Sequence, residues 1–357
     1  MLKKTIPLLL IILFNHSCTN IKKSDFQNII KNLNPILKNI SQDSPQYDED
    51  ISLPELNVKT IPYELVLENR KLEKLKDFAD NDSVLDIKWK MLNDINNSRK
   101  KYKLKPLKLN ILACRVANMH CKDMVNKKYF SHYSKNGLKP YHRWGLNGGL
   151  DHISENLHSR VQNVPLLTSL ANILYYMRTG HKRFMDEKPP NDGHRKEILN
   201  SNHTHAGIGF AIKEKEFRYS ELYVDKYLEI NPNPSFIPPG RITIRGKVLE
   251  PEKYGLFLAV AYYDKKNISL PENVRNSPYP DFSEVKLTQV PPWKLKYDTI
   301  TGNFVLPITF KGKKSGYAYI QIFVKENPNK IPYKPERTVQ ISSKNSICAG
   351  GVIVELP

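Results

Sequence analysis

Nine of the ten histidines of this 357-residue chain fall between positions 120 and 205, so the side chains best suited to proton transfer or metal ligation near neutral pH are gathered in one stretch. Three islands stand out there: Phe130-Ser131-His132, Ser154-Glu155-Asn156-Leu157 and Gly193-His194-Arg195. Two imidazoles and a carboxylate on separate elements can converge on one polar site. Neutral imidazole nitrogen and carboxylate oxygen are ordinary ligands of zinc, and three such ligands leave a position open for water. Activity asks for more. A bound water loses its proton near pH 7 only in a fixed, partly dry site, and hydrolysis needs donors aimed at the developing oxyanion. Neither a Gly-x-Ser-x-Gly nucleophile turn nor a His-Glu-x-x-His pair occurs in the chain. By residue type alone a histidine packs or meets solvent more often than it binds a metal.

The islands sit in an ordered frame. Ile95-Asn96-Asn97-Ser98-Arg99 is followed by Pro106-Leu107-Lys108-Leu109-Asn110, His120-Cys121-Lys122-Asp123-Met124 and Tyr129-Phe130-Ser131-His132, with Gly137, Pro140 and Arg143 beyond. After Glu155-Asn156-Leu157 come Gly193-His194-Arg195-Lys196-Glu197-Ile198-Leu199-Asn200 and His205-Ala206-Gly207-Ile208-Gly209-Phe210-Ala211. Over roughly residues 84 to 230 this order and spacing resembles the CAP superfamily of cysteine-rich secretory, antigen 5 and pathogenesis-related proteins, in its bacterial form. The resemblance implies an α/β/α sandwich with two His and two acidic residues on the floor of a cleft, where some members hold zinc. Carried over by position, His132 matches the first His, Glu155 the first acid and His194 the second His. The fourth position departs from the family's Trp, Glu and Tyr grouping: this chain has Tyr175, Tyr176 and then Phe184-Met185-Asp186-Glu187, so Asp186 or Glu187 is the substitute. Three functions are compatible with the resemblance. One is a binding protein that engages a lipid, a glycan or a host protein through the cleft and its surface. Another is a zinc-dependent, protease-like hydrolase with Glu155 as general base, and the third is a carrier of an apolar ligand. The first is favoured.

The elements that must position these residues show in the hydrophobic spacing. Val84, Ile87, Met91 and Ile95 are three, four and four apart, which predicts an amphipathic helix capped by Ser83 and Asp86. Ala113, Val116, Ala117, His120 and Met124 repeat the stripe after Asn110, placing His120 inside as a hydrogen-bonded histidine, and Leu167, Leu170, Ala171 and Leu174 repeat it after Pro165. Beyond Leu199 the period becomes that of strands, with Ile208 and Phe210, then Leu222, Val224 and Tyr227. Asn231-Pro232-Asn233-Pro234 and Pro238-Pro239-Gly240 mark a linker over 231–240. Residues 241–357 alternate by two at Ile242 and Ile244, at Leu256, Leu258 and Val260, and at Ala318, Ile320, Ile322 and Val324, with a turn signal over Asp298 to Gly302. They read as an all-β sandwich following the α/β domain of residues 83–230.

The start of the chain reads as an export signal over residues 1–18: Lys3 and Lys4, an apolar run from Ile6 to Phe14, then Ser17-Cys18. Nine apolar residues are too few to span a bilayer. Ser17-Cys18 followed by Thr19 and Asn20 resembles a lipoprotein cleavage site with Cys18 lipidated, although Asn15 and His16 depart from the usual pattern, and ordinary signal cleavage with secretion is the alternative. Residues 19–82, polar and rich in Lys, Asn, Asp and Ser, read largely as a tether. Cys114, Cys121 and Cys348 remain. The first two lie seven residues apart on one helix, about 10 Å at 1.5 Å per residue, too far for a disulfide. In this the chain departs from the cross-linked eukaryotic members of the family. The net charge of +19 is spread along the sequence, +8 of it in residues 231–357, and the longest basic run is Arg99-Lys100-Lys101. A nucleic-acid partner is therefore not expected, while a membrane held through the lipid anchor is.

Overall fold

The computed structural model describes residues 60–231, 235–237, 240–266, 285–309, 315–331, 333 and 343–356. Cys18, the signal segment and the tether up to residue 59 lie outside them. The first long helices follow the apolar stripes. After α1 (Tyr63–Lys71), α2 (Asp82–Lys101) buries Leu85, Met91, Leu92 and Ile95. Its cap is Asn81, whose side chain accepts from the Val84 N–H at 2.9 Å, two residues upstream of the expected Ser83. Asp86 instead accepts from the Thr60 and Ile61 amides and pairs with Lys90.

Asn110 caps α3 (Ile111–Asn126), on which His120 is buried as expected, with Nε2 2.9 Å from the Ser131 carbonyl oxygen. Next come α4 (Pro140–Leu146), α5 (Leu170–Asp186) and α6 (Gly193–Ile198). The stripe expected from Leu167 begins later, because Ser169 caps Asn172; Leu167 lies before the helix and is 51% exposed.

Four strands form the first sheet: β1 (Lys108–Leu109), β2 (His152–Val161), β3 (His205–Lys213) and β4 (Glu216–Asp225), in the order β1-β3-β4-β2. The strand pair expected after Leu199 is β3 and β4; β2, at the sheet edge and antiparallel to β4, was not legible. Phe217, Tyr219 and Tyr223 of β4 pack with α2 and α5, while Leu222 and Val224 pack with Ala113 and Val116 of α3 and Tyr141 and Trp144 of α4. Alternation along one strand thus serves two helical layers and produces the α/β/α sandwich. The layers approach closely where Gly207 and Gly209 face Ala113 and Ala117: a Cβ on either glycine would lie 2.4 Å from α3 atoms.

Buried arginines tie distant segments. Arg99, inside the longest basic run, is fully buried and donates to the carbonyl oxygens of Lys105, Ile198 and Asn200. Arg115 donates to those of Leu72, Lys74 and Asn69.

The remainder is β structure. β5 (Leu228–Ile230), β6 (Ser235–Ile237), β7 (Arg241–Val248), β10 (Lys296–Tyr297) and β11 (Asn303–Thr309) make one antiparallel sheet. β8 (Tyr254–Lys265), β9 (Val285–Val290), β12 (Gly316–Glu326) and β13 (Ile347–Leu356) make the other, in the order β13-β12-β8-β9. Ile242, Ile244, Leu306 and Ile308 from the first meet Leu256, Ala318, Ile320, Ile322 and Val352 from the second in one core. Strand pairing runs through the segment read as a linker, since β5 before it and β6 within it both pair with β7. The sandwich also joins the α/β part: Tyr319 of β12 shares a buried cluster with Tyr141, Trp144, Ile153 and Leu222. No described helix is long and apolar enough to cross a membrane.

Candidate functional site

The geometry begins with β2, where Ser154, Glu155, Asn156 and Leu157 are consecutive, so their side chains leave alternate faces of the sheet. Glu155 shares a face with Ile153 and Leu157, toward α3 and α4. There its buried carboxylate takes two partners: Oε1 accepts from Arg143 Nη2 at 2.8 Å, and Oε2 lies 3.0 Å from His132 Nδ1. Arg143, from α4, also donates through Nη1 to the carbonyl oxygens of His132 at 2.6 Å and Leu138 at 3.1 Å. One guanidinium therefore fixes both the acid and the loop that carries the histidine. Burial by itself would raise the Glu155 carboxyl, but the Arg143 cation and the His132 hydrogen bond override it and hold it at about 2. On the same side, burial in company with Arg143 keeps His120 neutral, its imidazole pushed down to about 3.

Asn156 points to the other face, where its side-chain amide donates to the His194 carbonyl oxygen at 3.0 Å. His194 has its own acid. Its Nδ1 lies 2.5 Å from Glu187 Oε1, its backbone N–H donates to Glu187 Oε2 at 3.0 Å, and its ring stacks on Phe184 with 4.6 Å between centres. Asp186, the alternative fourth residue, is a surface group paired with Lys182 at 2.8 Å. The choice falls on Glu187, which reaches α6 because it lies just past the end of α5.

The carried-over residues are thus two His–Glu pairs, His132 with Glu155 and His194 with Glu187, attached to successive residues of one edge strand. Among the described residues no three His, Cys, Asp or Glu side chains are grouped to hold a metal. Both Glu155 oxygens are engaged, by the buried Arg143 guanidinium and by His132, so Glu155 is not placed as the third ligand of the zinc centre that the sequence suggested.

Two further polar clusters escaped the sequence reading. His203 is buried between two acids, with Nδ1 2.6 Å from Asp225 Oδ1 and Nε2 3.2 Å from Glu197 Oε2; Asp225 Oδ2 also meets His152 Nδ1 at 2.9 Å, and Ser154 donates to Glu197 at 2.6 Å. Burial opposes the His203 charge, but the Asp225 and Glu197 carboxylates outweigh it and raise the imidazole to about 9. Ser154 Oγ lies 3.4 Å from His203 Nε2, yet the imidazole is held as a cation and the hydroxyl proton is given to Glu197, so this is no nucleophile and base pair. In the second cluster the fully buried Glu221 accepts from Tyr219 at 2.8 Å and Tyr223 at 2.6 Å and meets His181 Nδ1 at 2.8 Å. A charged residue on the inward face of a strand, between Tyr219 and Tyr223, was the available signal.

Residues 92–224 match the family model described as the cysteine-rich secretory protein family, CAP. These residues are a CAP domain. The domain is similar to the uncharacterized protein YkwD of Bacillus subtilis, 29% identical over 131 residues that cover 36% of this chain and 44% of that protein. The chain therefore spans less than half the length of that curated relative. An extracellular protein containing an SCP domain from Bacillus anthracis is 24% identical over 39% of this chain and 40% of the other, with a TM-score of 0.30. An outer surface protein of Borrelia burgdorferi is 15% identical over 39% of this chain and 92% of the other, with a TM-score of 0.31. The family match ends at residue 224, so the β-sandwich beyond it lies outside the CAP match.

Proposed function

We propose that this chain is an exported, lipid-anchored binding protein of the cell envelope, whose CAP domain engages a lipid, a glycan or a host protein through the two His–Glu pairs and the surface around them. The observation that carries the reading is the state of Glu155. A general base must be free to take a proton at working pH, with a pKa near it. Glu155 is held at about 2, and both its oxygens are engaged. It is suited to holding His132 and the loop around it in a fixed pose for recognition rather than to shuttling protons. Export and anchoring rest on Lys3, Lys4, the apolar run from Ile6 to Phe14 and Ser17-Cys18.

Two measurements on the full chain test this. Cys18→Ser should move the protein from the membrane fraction to the soluble one; unchanged fractionation together with no lipid label on the wild type removes the anchor. Envelope lipid vesicles and glycan arrays should retain the wild type and release the His132→Ala and His194→Ala variants. Equal retention of folded variants places recognition elsewhere, and turnover of an ester or peptide substrate that is lost with Glu155→Gln restores the hydrolase.

A further inference from the structure

The helix that supplies Arg143 to the CAP site is held at its first turn by a residue far outside the family match. Asp264, near the end of β8, is buried against α4. Its Oδ2 accepts from the Tyr141 hydroxyl at 2.8 Å and lies 3.2 Å from His142 Nε2; its Oδ1 accepts from Lys139 Nζ at 3.2 Å, and Lys139 Nζ in turn donates to the Tyr141 oxygen at 2.8 Å. Three groups around the start of α4, at 139, 141 and 142, thus converge on one carboxylate. The residue that follows them is Arg143, which grips Glu155 and the carbonyl oxygens of His132 and Leu138. Farther along the same helix, Gly145 lies against Ile353 of β13, where an added Cβ would approach the Ile353 side chain to 2.4 Å.

We propose that Asp264 is a positioning residue of the CAP-domain site: it fixes the first turn of α4, and through Arg143 that turn sets Glu155 and the loop of residues 130–139 carrying His132. The β-sandwich is then part of the site's framework.

Hydrogen exchange followed by mass spectrometry on the full chain tests it, with the guanidinium proton signals of Arg143 as a second readout. Asp264→Ala should speed exchange in residues 130–139 about tenfold and collapse the Arg143 signals, while α2 and β11 keep their protection, because local opening is separable from global unfolding. Asp264→Asn, which still accepts from Tyr141 but lacks the charge, should fall between the two. Ile308→Val, buried in the opposite sheet, serves as a control that lowers stability without touching the loop. If Asp264→Ala does not fold, Tyr141→Phe, which removes one donor, should loosen the loop about threefold at unchanged global protection. Unchanged exchange in 130–139 overturns the proposal, and so does acceleration spread evenly over the whole chain.

Discussion

Tyr141 of α4 lies flat against Tyr319 of β12, with 4.1 Å between ring centres and 9° between planes. Both rings are almost wholly buried, so the face that the CAP domain presents to the sandwich is an aromatic core contact rather than a hinge surface. Stacked aromatic pairs contribute about 0.5–1.5 kcal/mol beyond their buried area. Tyr319→Ala, which also removes the packing, should cost about 3–5 kcal/mol, as large aromatic deletions do. Urea denaturation monitored by circular dichroism measures it, and a cost under about 1 kcal/mol means the contact is marginal.

Removing Arg143 strands a buried carboxylate. Arg143→Leu should destabilise the chain by about 3–5 kcal/mol, and replacing both partners with leucines should recover much of that loss, because the penalty belongs to the unpaired charge. A double-mutant cycle at pH 7 checks this; additive costs would mean that the pair is not coupled.

His203 gives stability an alkaline limit. Its folded-state imidazole is raised from 6.5 to about 9. Its contribution is therefore fully present below pH 6.5 and fades as pH rises through about 9, on the order of 3 kcal/mol at most. Asp225 and Glu197, both depressed, act in the opposite direction, supplying stability above their ordinary range that is lost as pH falls. Thermal melts from pH 5 to 10 should show the alkaline decline, and His203→Gln should flatten it.

Gly207→Ala would place a methyl 2.4 Å from the Ala113 backbone carbonyl carbon. The neighbour is helix backbone and cannot swing away, so α3 must shift from β3 at a cost of about 1–3 kcal/mol or more. Gly193→Ala, where nothing lies within 4 Å of the added Cβ, is the matched comparison and should stay within about 0.5 kcal/mol of wild type.

The long helices α2 and α3 were legible because their stripes are long and repeat at helical spacing, as with Val84 to Ile95 and Ala113 to Met124. β2 was not, because it carries Ser154, Glu155, Asn156 and His158 among its apolar residues, and polar groups satisfied by partners on other elements hide the period of two. The His132 and Glu155 pairing and the acid serving His194 could be narrowed by position. The role of Arg143 could not, since it depends on how α4 is set against β2, and Asp264 lies over 120 residues from the groups it holds. Long-range polar pairings leave no local trace.

Arg99 and Arg115 tie distant segments of this chain without any covalent cross-link. Arg99 joins residue 105 to the turn after α6, and Arg115 gathers the residues from Asn69 to Lys74 onto α3. Cys114, Cys121 and Cys348 form no disulfide, and burial pushes the Cys114 thiol up to about 11 and the Cys121 thiol higher still. Ties made by guanidinium groups need no oxidant to form and no reductant breaks them. This domain should therefore reach and keep its fold on either side of an export membrane, with the same melting temperature in dithiothreitol as in air.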